Sequence, residues 1–137
     1  MNLRIDSEFI YYITCYQGVF MKDEVKEKLM RENLEPYSLI LIHGLHTLES
    51  EIERENDQNQ RRHLTEQIKE QERKVAHINN VKTYLDRILD FTEFLKDKSL
   101  TKEKIEFFSA KRESLRNQMT KEINTELNRW LIRDFTT

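Results

Sequence analysis

Two histidines and a glutamate are the residues whose types and spacing best suit metal chemistry. His43 and His46 stand three residues apart in YSLILIHGLHTLE (37–49), and Glu53 follows two helical turns later. On a helix these side chains fall on one side, and imidazole and carboxylate groups are metal ligands. The segment offers at most three ligands, however, and no glutamate stands three residues before either histidine, as di-iron bundles require. A metal site at His43, His46 and Glu53 is therefore a minority hypothesis, and the sequence predicts no cofactor.

The sequence contains no motif of an enzyme. It has no phosphate-binding glycine loop, no nucleophile elbow and no HExxH. Its many carboxylates stand four residues from lysines or arginines, as Glu70 does from Lys74, which is typical of solvated helix faces. We therefore expect a protein that is not an enzyme and has no catalytic residue.

The composition predicts that helices alone position these residues. The 137 residues include two glycines and one proline, too few for the turns that a sheet needs. Charged residues make up 35% of the chain, which is typical of long, surface-rich helices. We predict a single all-α domain over 1–137, a helical bundle with two short N-terminal helices, a medium helix and a long antiparallel C-terminal helical hairpin with coiled-coil character.

Capping and breaking residues place the predicted N-terminal helices. A first helix over 7–17 and a second over 22–33 form a short helix pair within 1–35. Pro36 suits the first turn of a third helix, because proline lacks an N–H that would have no partner there. This third helix covers 36–56, and the polar segment ENDQNQ predicts a turn after it.

Two long helices complete the prediction. They cover 60–97 and 101–135, with Thr101 as the cap of the second, and the short connection favours antiparallel packing. The second carries an apolar stripe that includes Ile105, Phe108 and Leu115. In the first, an apolar seam broadens toward the C-terminal half, so this half should lie inside a bundle. The seam follows heptad positions Leu64, Ile68, Gln71, Val75, Ile78, Lys82, Leu85 and Leu89.

The stretch 39–42, LILI, is apolar on every side of the predicted third helix. Such a segment has to be covered on every side, either by the N-terminal helices or by a second subunit. Gly44 follows it, and a glycine inside a helix costs about 1 kcal/mol relative to alanine, so it usually permits a close approach. The residues that we predict to bind a partner are Leu39, Ile40, Ile42, Gly44, Ile68, Val75 and Ile78.

The heptad segment RHLTEQIKEQERKVAHINNVKTYLDRIL (62–89) resembles the dimerisation helices of bacterial MerR- and PadR-type regulators. The resemblance implies a homodimer and a role in transcriptional regulation. No pattern of a helix-turn-helix with a wing precedes the segment. The net charge of −2 provides no attraction to nucleic acid or anionic membranes, so the sequence favours neither as a direct partner.

Together these features favour a protein-interaction function. We expect a non-enzymatic helical module, such as an adaptor, chaperone, inhibitor or immunity-type protein, that binds a protein partner or itself through apolar helix faces. One alternative is a small transcriptional regulator or anti-regulator with a helical dimerisation segment, and a second is a helical-bundle binder of metal or small ligands. The single cysteine, Cys15, fits a reducing compartment, and the apolar run 9–16 is too short to span a bilayer. We therefore expect a cytoplasmic location.

Overall fold

The computed structural model of the protein describes residues 22–136 as three long α-helices. Helix α1 spans Asp23–Arg54, α2 spans Gln58–Phe94 and α3 spans Lys102–Thr136. This part of the chain contains no strand, so the all-α prediction is confirmed for it. Within it, no helix is long and apolar enough to cross a bilayer. The predicted first helix, over 7–17, and Cys15 lie outside the described residues.

The prediction of separate second and third helices is wrong, because Pro36 lies inside α1. An internal proline removes one backbone hydrogen bond and costs about 3 kcal/mol. The buried positions nevertheless keep helical spacing across it, from Met30 and Leu34 to Ser38 and Leu41, while Pro36 itself is exposed. Burial of this continuous stripe offsets the cost of the proline, so the helix does not end at 33–36.

The two connections are held by side chains that bond to the backbone. The predicted turn at 55–60 is shorter than expected, with residues 55–57 outside the helices. Arg61 Nη1 donates to the carbonyl oxygens of Ile52 at 2.7 Å and Glu55 at 2.9 Å, where α1 ends without intrahelical donors. At the start of α3, Thr101 Oγ1 accepts from Lys104 N at 3.3 Å, so the predicted cap is confirmed.

The chain divides into two compact units, and α1 and α2 contribute to both. The two-helix unit is Glu32–Asn80, in which the end of α1 packs against the start of α2. Gln71 contacts Leu41 and Arg61 contacts Ile52, so the two segments run antiparallel. Its buried residues are Leu34, Ser38, Leu41, Leu48, Gln71, Lys74, His77 and Ile78.

The three-helix unit comprises 22–31 and 81–136, and its core is mainly apolar. Of its two buried glutamates, Glu27 and Glu126, Glu27 accepts two hydrogen bonds of 2.9 Å from Arg116, one at each oxygen. These bonds raise the pKa of Arg116, because they favour its charged form. Arg112 Nη1 also donates to Thr92 Oγ1 at 3.2 Å, which joins α3 to α2. The buried apolar residues are Met30, Val81, Leu85, Ile88, Leu115, Met119 and Ile123.

The buried positions of α2 agree with one of the two predicted heptad columns and differ from the other. The column at positions 71, 78 and 85 is buried as predicted. The second buried column is 74, 81 and 88, whereas 75, 82 and 89, which were predicted, are only half-buried. The observed column has valine at 81 and isoleucine at 88, where the predicted column has lysine at 82 and leucine at 89, although Lys74 of the observed column is itself buried. In α3, Leu115 lies in the core but Ile105, predicted on the same stripe, is exposed.

Candidate protein-interaction surfaces

The residues of the metal hypothesis all lie on the surface of the two-helix unit. His43, His46 and Glu53 are exposed side chains of α1. Among the residues that the structure describes, no three histidine, cysteine, aspartate or glutamate side chains come together to hold a metal ion. The structure therefore adds no further ligand to this HxxH pair.

Leu39 and Ile40 are the most exposed of the predicted partner-binding residues. Their exposed fractions are 61% and 48%, whereas Leu41, the next residue, is completely buried. Ile42 is half-buried. The segment is thus apolar on all sides, as the sequence indicates, and of its four residues only Leu41 is completely buried in the part of the chain that the structure describes. Leu39 and Ile40 form an apolar step on the outer face of α1.

Gly44 permits a close approach within the chain itself. A Cβ atom added to Gly44 would lie 3.1 Å from Gln71 Nε2, which is a tight contact. That amide donates to the carbonyl oxygen of Leu41 at 3.0 Å, so the glutamine side chain from α2 lies against the backbone of α1. The glycine therefore makes room for a side chain of the same chain rather than for a partner's backbone.

The remaining predicted partner-binding residues belong to α2 and differ in exposure. Ile68 and Val75 are half-buried. Ile78 is completely buried, so it forms part of the core of the two-helix unit and is not available to a partner. Its predicted role in partner binding is corrected, because a side chain without exposed surface has no area left to bury on association.

A second apolar surface, which the predicted set of partner-binding residues does not include, is an aromatic cluster in the three-helix unit. It consists of Phe91 and Phe94 of α2 with Phe107 and Phe108 of α3, and neighbouring ring centroids are 5.7–6.0 Å apart. Such edge-to-face and tilted arrangements are favourable for aromatic pairs. Phe94 is 52% exposed and Phe107 is 57% exposed. A large part of the aromatic cluster therefore faces solvent.

The sequence holds one signal that could have identified the aromatic cluster. Phe107 and Phe108 are consecutive, and successive side chains on a helix point about 100° apart. A single buried face of the helix can therefore bury only one of the two rings. Phe108 is half-buried and Phe107 is exposed, with Lys111 Nζ above its ring at 5.5 Å from the centroid.

An open cleft of ≈ 390 Å³ lies beside the aromatic cluster, where the chain passes from α2 to α3. Its lining combines apolar side chains with two carboxylates: Glu93, Phe94, Asp97, Leu100 and Phe108. The backbone N–H and the hydroxyl of Ser99 donate to Asp97 Oδ1 at 2.9 and 2.7 Å. The bond from the backbone N–H makes the largest contribution to lowering the pKa of Asp97, followed by the bond from the hydroxyl. The charge of Lys104 makes a smaller contribution in the same direction.

Comparison of the chain with known proteins finds no family model, no curated protein and no solved structure that matches it.

Proposed function

We propose that the protein is a non-enzymatic helical interaction module that binds a protein partner through the apolar step of Leu39 and Ile40. The observation that carries the proposal is the exposure of these two large side chains on a helix segment whose opposite side is completely buried. Covering apolar surface yields about 25 cal/mol per Å², so a partner that packs on this face gains affinity without new polar contacts. Single exposed apolar residues are common, whereas two adjacent ones form one continuous apolar surface.

The protein partner can also be a second copy of the chain. Apart from position 77, the buried positions of α2 (71, 74, 78, 81, 85, 88 and 92) alternate in steps of three and four. This spacing is typical of coiled-coil packing, and these positions are already buried within one copy, so a second copy would have to bind the exposed faces. In a homodimer, the apolar step of one copy would contact the same surface of the other around a two-fold axis.

The test is purification of the chain from its native host together with measurement of its mass in solution. We expect either one co-purifying protein in stoichiometric amount or a dimer mass. The double variant Leu39→Asp/Ile40→Asp should lose that partner, because two charges would enter the contact. Its circular dichroism should remain that of the wild type, since both side chains are exposed.

A matched control is the double variant Asn33→Asp/Ser50→Asp. It adds the same two negative charges to exposed positions of the same segment of α1. This variant should keep the partner. Loss of the partner in both variants would point to net charge rather than the apolar step, and a wild-type monomer without any stoichiometric partner would contradict the proposal.

A further inference from the structure

We propose that an exposed row on α3, formed by Glu103, Phe107 and Lys111, is a contact between two copies of the chain. All three residues are exposed, and Phe107 belongs to the aromatic cluster. The row lies in the three-helix unit and shares no residue with the apolar step. The inference therefore goes beyond the proposed function, and either proposal can fail while the other stands.

The order of the residues along the row is self-complementary. Glu103, Phe107 and Lys111 stand four residues apart, so their side chains form one ridge along the helix. A two-fold axis at Phe107 reverses this ridge in the second copy. Glu103 of each copy then faces Lys111 of the other copy, and the two Phe107 rings meet between the charges. Helices that cross at about 50°, the commonest packing class, align two such ridges.

The two charged side chains of the row have no partner of opposite charge in the described part of the chain. The residues three and four positions from Glu103 are serine, leucine, glutamate and phenylalanine, and those from Lys111 are phenylalanine, serine and leucine. No hydrogen bond or ion pair of either side chain occurs among the described residues. Glu24, by contrast, pairs with Lys28 at 3.2 Å within its own helix. A second copy of α3 supplies a partner to both charges at once.

Lys111 already lies along the row. Its Nζ atom is above the ring of Phe107, 5.5 Å from the centroid. A cation above a ring keeps its N–H donors for a carboxylate, because the ring attracts the charge without accepting a strong hydrogen bond. Glu103 of a second copy would therefore meet an ammonium group that is held beside the Phe107 ring.

The aromatic cluster forms the apolar centre of the contact. Phe107 and Phe94 are more than half exposed, and each ring packs against Phe108. Aromatic residues are enriched in the cores of protein interfaces. The two exposed rings offer roughly 200 Å² per copy, well below the area of about 800 Å² per partner in a standard interface. We therefore expect a weak dimer whose population depends on protein concentration.

The charges also select the orientation of the second copy. In a parallel pair of helices, Glu103 would face Glu103 and Lys111 would face Lys111, and such like charges repel each other. The antiparallel pair replaces both repulsions with attractions. Lys104 projects about 60° to one side of Phe107, so it lies at the margin of the contact and stays in water. At the opposite margin, the exposed Ala110 is small enough to let the second helix approach.

The test is sedimentation velocity of the full chain at increasing protein concentration, in low and in high salt. We expect a monomer–dimer equilibrium that shifts toward the monomer in high salt, because salt screens exposed charges. Phe107→Ser should weaken the dimer by about 10-fold or more, since it removes the apolar centre. Glu106→Lys is the matched charge control. Glu106 is exposed and points about 100° away from Phe107, so this variant should dimerise as the wild type does.

A charge exchange tests the pairing directly. Glu103→Lys leaves two lysines in the row and Lys111→Glu leaves two glutamates, so each variant alone should dimerise at least about 10-fold more weakly than the wild type. When the two variants are mixed in equal amounts, they should form a heterodimer as tight as the wild-type dimer, because every lysine then faces a glutamate. This recovery also shows that both variants are folded.

Four outcomes would each overturn the inference. The first is a wild-type monomer at every concentration, and the second is a dimer that Phe107→Ser does not weaken. The third is a mixture of Glu103→Lys and Lys111→Glu proteins that associates no better than either variant alone. The last is a dimer that is lost in Leu39→Asp/Ile40→Asp but kept in Phe107→Ser, which would assign the association to the apolar step.

Discussion

The two units of the protein bury different kinds of side chain. In the two-helix unit, half of the buried residues are polar or charged, and Gln71 donates across to the backbone of α1. The core of the three-helix unit is mainly aliphatic, and its most prominent polar contact is the pair of Glu27 and Arg116. The two arrangements contribute differently to stability and to alignment of the helices.

Stability and helix register depend on different contacts in this protein. Apolar burial is the main source of stability in the three-helix unit, because each buried leucine or isoleucine contributes about 1.5–3 kcal/mol to the free energy of unfolding. A neutral hydrogen bond such as that from Gln71 to Leu41 adds only about 1 kcal/mol, yet a slip of one helix past the other would leave the amide buried without its acceptor. The glutamine therefore fixes the alignment of α1 and α2 in the two-helix unit more than it stabilises them.

The largest effect is expected from Leu85→Asp in the three-helix unit. Leu85 is completely buried, so the substitution places a charge in the apolar core. We expect a loss of more than about 4 kcal/mol in the free energy of unfolding, with a marked loss of helicity. Thermal and urea unfolding followed by circular dichroism measure both.

The same substitution at an exposed leucine of the two-helix unit is the control. Leu39→Asp should change the free energy of unfolding by less than about 1 kcal/mol, because Leu39 is well exposed. Unchanged melting of Leu85→Asp would show that the burial pattern of α2 is wrong. An equally large effect at Leu39 would show that the apolar step is covered within the chain.

A smaller effect is expected at the buried ion pair of the three-helix unit. Glu27 is 2% exposed, and the side chain of Arg116 is 16% exposed. Glu27→Leu leaves the guanidinium without its bidentate partner, so we expect a loss of about 3 kcal/mol. The double variant Glu27→Leu/Arg116→Leu should recover most of the lost stability, because it also removes the guanidinium charge that has lost its carboxylate partner. Urea unfolding of the four proteins in the cycle gives the coupling energy.

Asp86→Asn provides the matched control at an ion pair of the same unit. Asp86 accepts from Arg31 Nε at 2.6 Å, but its side chain is more than half exposed. This variant should lose less than about 1 kcal/mol. A loss from Asp86→Asn as large as that from Glu27→Leu would mean that burial does not set the strength of these pairs.

Local signals in the sequence predicted the ends of the helices well. The cap at Thr101 and the break after α1 depend on residues that bond to their immediate neighbours. The fusion of two predicted helices across Pro36 could not be foreseen in this way. It depends on whether burial along the whole of α1 outweighs a local cost, which is a property of the packed protein.

The exposure of individual side chains could not be predicted from the sequence either, even for two residues of the same type. Ile40 and Ile78 were both predicted to bind a partner, yet Ile40 is exposed and Ile78 is completely buried. Periodicity places each on an apolar face but does not reveal which face another helix of the chain will cover. Phe107 is the converse case, because only the adjacent Phe108 indicated that one of the two rings had to face solvent.

The smallest effect is expected at the contact between Gly44 and Gln71 in the two-helix unit. Alanine is favoured over glycine inside a helix by about 1 kcal/mol, so Gly44→Ala should stabilise α1 when nothing opposes it. In the wild type, the new Cβ would lie 3.1 Å from Gln71 Nε2, so the amide must move and weaken its bond to Leu41. We therefore expect Gly44→Ala to gain about 1 kcal/mol in a Gln71→Ala background and less, or nothing, in the wild type. Urea unfolding of both pairs measures the difference, and equal gains in the two backgrounds would show that the glutamine does not depend on the space left by Gly44.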